Sequence, residues 1–167
     1  NYIRNKNFDF RVRFLFFQNN VGPYVIKNSL SKISKSDFLL FFDSDDIMNE
    51  GMVQKMFDSN RHNTFVKPMY VEFSQPSDKT TWTEGTNGKF GEGVFLIKKE
   101  LFLSMNGFEG WKVAADSDFM GRLYKTNLNI LHTQRVLFHR RNHENSLTIH
   151  PDTNLSSRTR GEYHFLS

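Results

Sequence analysis

Apolar and polar positions along the chain predict strands and helices in turn. Five consecutive apolar residues at 38–42 show no period-two alternation, which is typical of a central parallel strand buried on both faces. The segment 8–17 alternates at first and then becomes wholly apolar, which predicts a second strand. Between them, Pro23 fits the first helical position, so we expect a helix over 23–34 that joins two parallel strands. Its apolar positions at helical spacing are Ile26, Leu30 and Ile33.

The same patterns predict the rest of the core and a tail. We expect further helices at 50–59, 99–105 and 116–125, and further strands at 64–73, 94–97, 130–131 and 136–138. Pro68 is expected to break the strand at 64–73, and the polar segment 74–93 to form a long loop. We therefore divide the chain into a core, 1–150, and an irregular polar tail, 151–167.

Composition and charge narrow the class of protein. A chain of 167 residues suits one globular domain, and 18 Phe indicate a core built largely from rings. The net charge of +4 is scattered among 18 acids, which favours a small phosphorylated ligand and no nucleic-acid partner. The absence of cysteine excludes disulfides and thiolate zinc sites. No apolar stretch approaches the ~20 residues of a membrane span, so we expect a cytoplasmic protein.

An acidic segment follows the apolar run at 38–42. Asp43, Asp45 and Asp46 would therefore lie at the carboxyl end of a strand, where open α/β sheets bind their ligands. Carboxylates crowded in this way repel one another unless a cation lies among them, and oxygen ligands favour Mg²⁺ or Mn²⁺. The alternative is an aspartate-rich turn that caps the next helix. The buried strand in front favours the metal site.

Two further polar groups occur downstream. Asp116 and Asp118 begin a predicted helix, where they would ordinarily serve as a cap and a dipole partner. The aromatic, glycine-flanked segment 107–111 just before them favours a second interpretation, in which a carboxylate and a ring meet a hydroxylated ligand. His143 could complete a metal shell with the arginines beside it binding phosphate, although a solvated basic stretch is the alternative.

Several motifs follow one another in a characteristic order. They are Asn20-x-Gly22 with Lys27-Asn28, Phe41-Phe42-Asp43-Ser44-Asp45-Asp46, Gly93-Val94-Phe95, Asn106-Gly107-Phe108, Ala115-Asp116-Ser117-Asp118-Phe119-x-x-Arg122 and His143-x-x-Ser146. Together they resemble the inverting glycosyltransferases of family 2 over about residues 10–150. The resemblance implies an α/β GT-A fold, with a mixed and mainly parallel sheet flanked by helices.

The resemblance also implies a reaction and a set of site residues. A sugar would pass with inversion from a nucleotide-diphosphate-sugar, preferably a UDP-sugar, to the hydroxyl of a glycan or other acceptor. Asp116 falls where the family keeps its catalytic base, although Ala115 replaces the acid that usually precedes it. Asp45 and His143 would ligate Mn²⁺ or Mg²⁺. The other assignments are Asp43, Asp46, Lys27 and Asn28 to the donor, and Trp111 and Asp118 to the acceptor.

Two other functions stay open at this point. A non-catalytic module that binds a nucleotide-sugar or glycan would bind without turnover. A nucleic-acid-binding domain would lose affinity steeply with salt. Family members also begin with strands that precede the Asn-x-Gly segment, and only about one strand fits before Asn20. We therefore expect this chain to be the carboxyl-terminal part of a transferase, with any membrane association residing in regions beyond it.

Overall fold

The protein is seen in a computed structural model that describes residues 11–60, 65–74, 83–84, 88–143 and 146–165. In these ranges the chain folds as one mixed sheet flanked by helices. The strands are β1 (Phe38–Leu40), β2 (Ile47–Met48), β3 (Phe65–Ser74), β4 (Thr83–Glu84), β5 (Lys89–Phe90), β6 (Leu96–Lys98) and β7 (Ile130–Asn142). The helices are α1 (Pro23–Ile33), α2 (Met52–Ser59), α3 (Lys99–Ser104), α4 (Ala115–Tyr124) and α5 (Arg158–Phe165).

The sheet has the order β1-β6-β3-β7-β2, with β4 and β5 also paired to β3. Strands β3 and β7 are parallel, and the other described pairs are antiparallel. The α/β class and the mixed sheet are thus confirmed, whereas the mainly parallel pairing does not hold for the described strands. Strand β1 pairs only with β6 among them, so it lies at the edge of the described sheet and not at its centre.

The helices lie close to their predicted positions, but some of their faces differ. Helix α1 begins at Pro23 as predicted, yet its buried residues are Tyr24 and Ser31, while Leu30 and Ile33 are exposed. Helix α4 buries Phe119 and Leu123 as predicted and leaves Tyr124 exposed. Periodicity located these helices correctly, because local spacing sets where a helix forms. Which side faces the core depends on the neighbouring elements.

Three segments correct the sequence-based expectations. Residues 11–17 form no strand, and the apolar side chains at 14–17 are exposed because no described strand pairs with them. The predicted last strand pair is one strand, β7, which continues because β3 pairs with it along most of its length. The tail is not wholly irregular, since it contains α5. Residues 8–10 and most of the predicted loop at 74–93 lie outside the described residues.

Pro68 does not end β3. The strand runs through it, and its register with β7 shifts between Lys67 and Met69. Proline lacks the N–H that a regular ladder requires, so it fits at an irregular position. The Met69 N–H donates instead to the Thr133 hydroxyl, at 2.9 Å.

Phenylalanine rings build the main core, as the composition predicted. The Phe108 ring contacts Phe41, Phe95, Phe102 and Phe119, with ring centroids 5.1 to 6.0 Å apart. Phe41 lies two positions before Asp43, the first residue of the acidic segment, and Phe119 lies one turn after Asp116. This ring cluster therefore brings the end of β1 and the first turn of α4 together. Among the described residues, no helix is long and apolar enough to cross a membrane.

Candidate active site

A cleft of about 470 Å³ opens at the carboxyl end of β1. Its walls come from the start of α1, the acidic segment, the first turn of α4, the end of β7 and the residues just after it. The ionisable residues that line it are Tyr24, Lys27, Asp43, Asp45, Asp46, Asp116, Arg140, Arg141 and His143. The fold thus brings the three polar groups of the sequence into one place.

Asp45 and His143 form a pair in this cleft. His143 Nε2 lies 3.2 Å from Asp45 Oδ2, and the Arg141 Nε donates to the Asp45 carbonyl at 2.9 Å. In the parts of the chain that are described, no group of three His, Asp or Glu side chains is arranged to hold a metal. Mg²⁺, however, usually takes one or two protein carboxylates, with phosphate oxygens and water in its other positions. Asp45 is a carboxylate that could serve in this way, and His143 lies beside it.

The other two carboxylates of the acidic segment have partners of their own. Lys27 Nζ lies 2.8 Å from Asp43 Oδ1, which joins α1 to the acidic segment. Asp46 Oδ1 accepts a hydrogen bond from the Arg141 N–H at 2.9 Å. Burial, with the nearby charges of Asp45 and Asp43, raises the pKa of Asp46 to about 6 and outweighs the lowering by that hydrogen bond.

Asp116 is the second residue of α4 and lines the cleft. Its Oδ1 accepts hydrogen bonds from the Tyr24 hydroxyl at 2.8 Å and from the Ser117 N–H at 3.0 Å. Burial and the Asp116 carboxylate raise the pKa of Tyr24, so its hydroxyl stays protonated and donates. The N-cap is Ala114, in the left-handed conformation with φ +65° and no side-chain cap, so Asp116 does not cap this helix.

Asp116 Oδ2 lies beside Gly93. A Cβ at Gly93 would come within 3.3 Å of this oxygen, which is tighter than an ordinary contact. No described residue donates a hydrogen bond to Oδ2. Glycine at this position therefore leaves room for a ligand atom to reach the carboxylate.

Two predicted site residues support the aromatic loop and do not line the cleft. Asn28 donates to the Phe108 carbonyl at 2.7 Å and accepts from the Phe108 N–H at 3.0 Å. Asp118 Oδ2 accepts from Arg122 Nε at 2.9 Å, and Arg122 also donates to the Gly107 carbonyl at 2.6 Å. These contacts give both side chains a structural role, and the donor role of Asn28 and the acceptor role of Asp118 stay predictions.

Trp111, the other residue predicted to bind the acceptor, also lies outside the lining of the cleft. Its ring stacks on Tyr163 of α5, with centroids 5.0 Å apart and planes 12° apart. The tail therefore packs against the aromatic loop. Sequence reasoning missed this contact because nothing in the polar tail marked Tyr163 as a partner for a ring 52 positions earlier.

Sequence reasoning also missed Tyr24 and Arg160. Tyr24 reaches Asp116 across 92 positions of sequence, and no local pattern signals a contact of that range. Arg160 is 7% exposed although it lies in a polar segment. The arginines of 140–141 were noted beside His143, and the cleft confirms that they line the same site.

The fold and the cleft define an α/β protein of the GT-A type, with two acidic groups facing one ligand site. The family model of glycosyl transferase family 2 matches residues 2–125. Because this match covers well over half of the chain, the chain belongs to that family, which uses nucleotide-sugar donors. The matched range includes the acidic segment and Asp116 but ends before His143 and the tail. No curated protein matches the chain.

Proposed function

We propose that the protein transfers a sugar from a nucleotide-diphosphate-sugar to an acceptor hydroxyl with inversion, and that Asp116 is the general base. The observation that carries this proposal is that Asp116 shares one cleft with the Asp45–His143 pair. Inversion requires the acceptor and the leaving diphosphate on opposite faces of the sugar. With two separate acidic groups in one cleft, Asp116 can take the acceptor proton on one face of the sugar, and the Asp45–His143 pair can hold the cation at the leaving diphosphate on the other.

The donor side is the acidic segment with its neighbouring cations. Arg140, Arg141 and Lys27 line the cleft and suit the oxygens of a diphosphate. Asp45 and His143 would hold Mn²⁺ or Mg²⁺ at the same place. When bound, that cation neutralises the charge that develops on the leaving group. A UDP-sugar is the donor that we test first.

The acceptor side is Asp116. The Tyr24 hydrogen bond fixes Oδ1, and Oδ2 is left to receive the proton of the acceptor hydroxyl. As the bond from the acceptor oxygen to the anomeric carbon forms, the bond from that carbon to the phosphate oxygen breaks. Its electron pair leaves with the diphosphate, and the proton moves to Asp116. General-base catalysis of this kind supplies roughly 10²–10⁴-fold.

The donor half of the proposal is tested by calorimetry with UDP-glucose and Mn²⁺. Asp45→Ala is expected to abolish Mn²⁺-dependent binding, and His143→Ala to weaken it, since each removes one of the two paired ligands. Asp58→Ala is the matched control, because Asp58 is exposed on α2 and, among the described residues, accepts a hydrogen bond from Gln54 alone. Unchanged Mn²⁺ affinity in Asp45→Ala would remove that residue from the metal site.

The transfer half is tested by a screen of nucleotide-sugars for Mn²⁺-dependent release of nucleoside diphosphate, with and without candidate acceptors. The configuration of the product's anomeric carbon, read by NMR, reports inversion directly. Retention of configuration would contradict the mechanism. Donor binding without release under any condition would favour the non-catalytic binding module.

A further inference from the structure

A second cavity, of about 210 Å³, adjoins the cleft. The two share Asp43, Asp46, Gly93, Asp116, Arg140 and Thr148. The second cavity adds Tyr70, Glu92 and Arg160 to these walls. A chemical group bound there would lie next to Asp116, and the volume is small for a ligand pocket, which suits one sugar ring.

Arg160 is the buried cation of this cavity. It is 7% exposed, and its Nε donates to the Thr153 carbonyl at 3.2 Å. Within the described part of the chain, no carboxylate forms an ion pair with Arg160. A guanidinium has five N–H donors, so most of its hydrogen-bonding capacity is left over. The carboxylates that line the same cavity, those of Asp43, Asp46, Glu92 and Asp116, form no described ion pair with Arg160, so its guanidinium is left to bind an anionic group of a ligand.

The other charged groups around the cavity have partners. Asp43 pairs with Lys27, Asp46 accepts from the Arg141 N–H, and Asp116 accepts from the Tyr24 hydroxyl. Glu92 is paired with Lys67, whose Nζ lies 3.0 Å from Glu92 Oε2. Arg140 donates to the Tyr70 hydroxyl at 3.4 Å and to the Thr148 hydroxyl at 3.2 Å. These groups therefore leave Arg160 as the cation of the cavity walls that is available for an anion.

Helix α5 holds Arg160 at the cavity. Tyr163 of this helix stacks on Trp111, which packs α5 against the loop that precedes α4. Arg158, two positions before Arg160, points to solvent, with 93% of its side chain exposed and Glu162 as its partner. The helix thus presents one arginine to the protein interior and one to water.

We propose that Arg160 is a specificity-determining residue that binds the carboxylate of an acidic sugar in this cavity. This inference takes the sugar-transfer reaction from the proposed function, but the binding experiments that test it do not depend on that reaction. A guanidinium fork matches a carboxylate with two parallel hydrogen bonds. The carboxylate belongs to either the donor sugar or the acceptor sugar, because Asp116 borders the cavity where the two meet.

Two binding experiments on the full 167-residue chain separate these sources. The first compares the dissociation constants of UDP-glucuronate and UDP-glucose with Mn²⁺ present, by calorimetry. The second compares methyl glucuronide and methyl glucoside by ligand-observed NMR, without nucleotide or metal. In at least one of them, the acidic probe is expected to bind about tenfold to a hundredfold more tightly, as a charged hydrogen-bonded pair should.

Arg160→Gln is expected to remove that preference, and Arg158→Gln, the solvent-facing arginine of the same helix, to keep it. Arg160→Lys keeps the charge and loses the fork, so it should retain part of the preference. If thermal unfolding shows that Arg160→Gln does not fold, Arg160→Lys is used to test the proposal in its place. A preference in the first experiment assigns the carboxylate to the donor, and one in the second alone assigns it to the acceptor.

Equal binding of acidic and neutral probes in both experiments would overturn the proposal. A preference that Arg160→Gln or, in a folded protein, Arg160→Lys leaves at full strength would overturn it as well. The second experiment needs no nucleotide, so its outcome stands even if the transferase proposal fails. Conversely, UDP-glucose binding that depends on Mn²⁺ and Asp45 would survive the failure of the Arg160 assignment.

Discussion

Replacing Gly107 by alanine is expected to disturb the aromatic loop that precedes the candidate base in the sequence. Gly107 has φ +65°, and a Cβ there would lie 2.5 Å from Asn28 Oδ1 and 3.0 Å from the Phe102 ring. The left-handed conformation costs alanine about 1–2 kcal/mol. Displacing Asn28 breaks its two hydrogen bonds to Phe108, at about 1 kcal/mol each. The free energy of unfolding should therefore fall by about 3–4 kcal/mol.

For a chain of this size, that loss corresponds to a fall in Tm of roughly 6–16 °C. Circular dichroism during heating measures it. Gly121→Ala is the matched control, because Gly121 lies inside α4 and a Cβ there meets nothing within 4 Å. That variant should gain about 0.5–1 kcal/mol, as alanine does over glycine in a helix. A Tm of Gly107→Ala within 2 °C of the unmodified protein would refute the reasoning.

Two further predictions concern the cleft. Gly93→Ala places a Cβ 3.3 Å from Asp116 Oδ2, so the carboxylate must shift by a few tenths of an ångström. Sugar transfer by Gly93→Ala should slow by about tenfold with UDP binding unchanged, whereas Gly121→Ala should keep the rate of the unmodified protein. Equal transfer rates for Gly93→Ala and the unmodified protein would show that Oδ2 is not the reacting oxygen. In the metal-free protein, the Asp46 pKa of about 6 lies above its ordinary 3.8. The folded state therefore favours the protonated Asp46 carboxyl group. The stability that this group contributes is fully present below about pH 4 and is lost as the pH rises through about 6. Urea unfolding in EDTA should show this fall in the unmodified protein but not in Asp46→Asn, and identical pH profiles would contradict it.

The sequence predicted the parts of the site that depend on local pattern. An uninterrupted apolar run followed by Asp43, Asp45 and Asp46 placed these carboxylates at a strand end, where the cleft opens. Pro23 marked the start of α1, which carries Lys27 into the same cleft. In each case, a short stretch of chain sets both the element and the position of its polar residues.

Contacts over long distances in sequence could not be predicted in the same way. Asn28 hydrogen-bonds to the Phe108 backbone 80 positions away, a contact that no local pattern indicated. The segment 8–17 was predicted to be a strand, but its apolar side chains at 14–17 are exposed, because an apolar pattern indicates a tendency to be buried and does not identify a pairing partner. Helix α5 has little apolar periodicity, and its Tyr163 contacts Trp111, which no pattern in the tail indicates.

The general base is the centre of this account, and Asp116→Asn tests it most directly. Asparagine keeps the shape of the side chain and an oxygen for the Tyr24 hydrogen bond, but it cannot take a proton. Transfer from the best donor of the screen should fall by roughly 10²–10⁴-fold, with Mn²⁺-dependent UDP binding and Tm unchanged. Asp58→Asn, the exposed control on α2, should keep its activity. Near-normal transfer by Asp116→Asn would contradict the account.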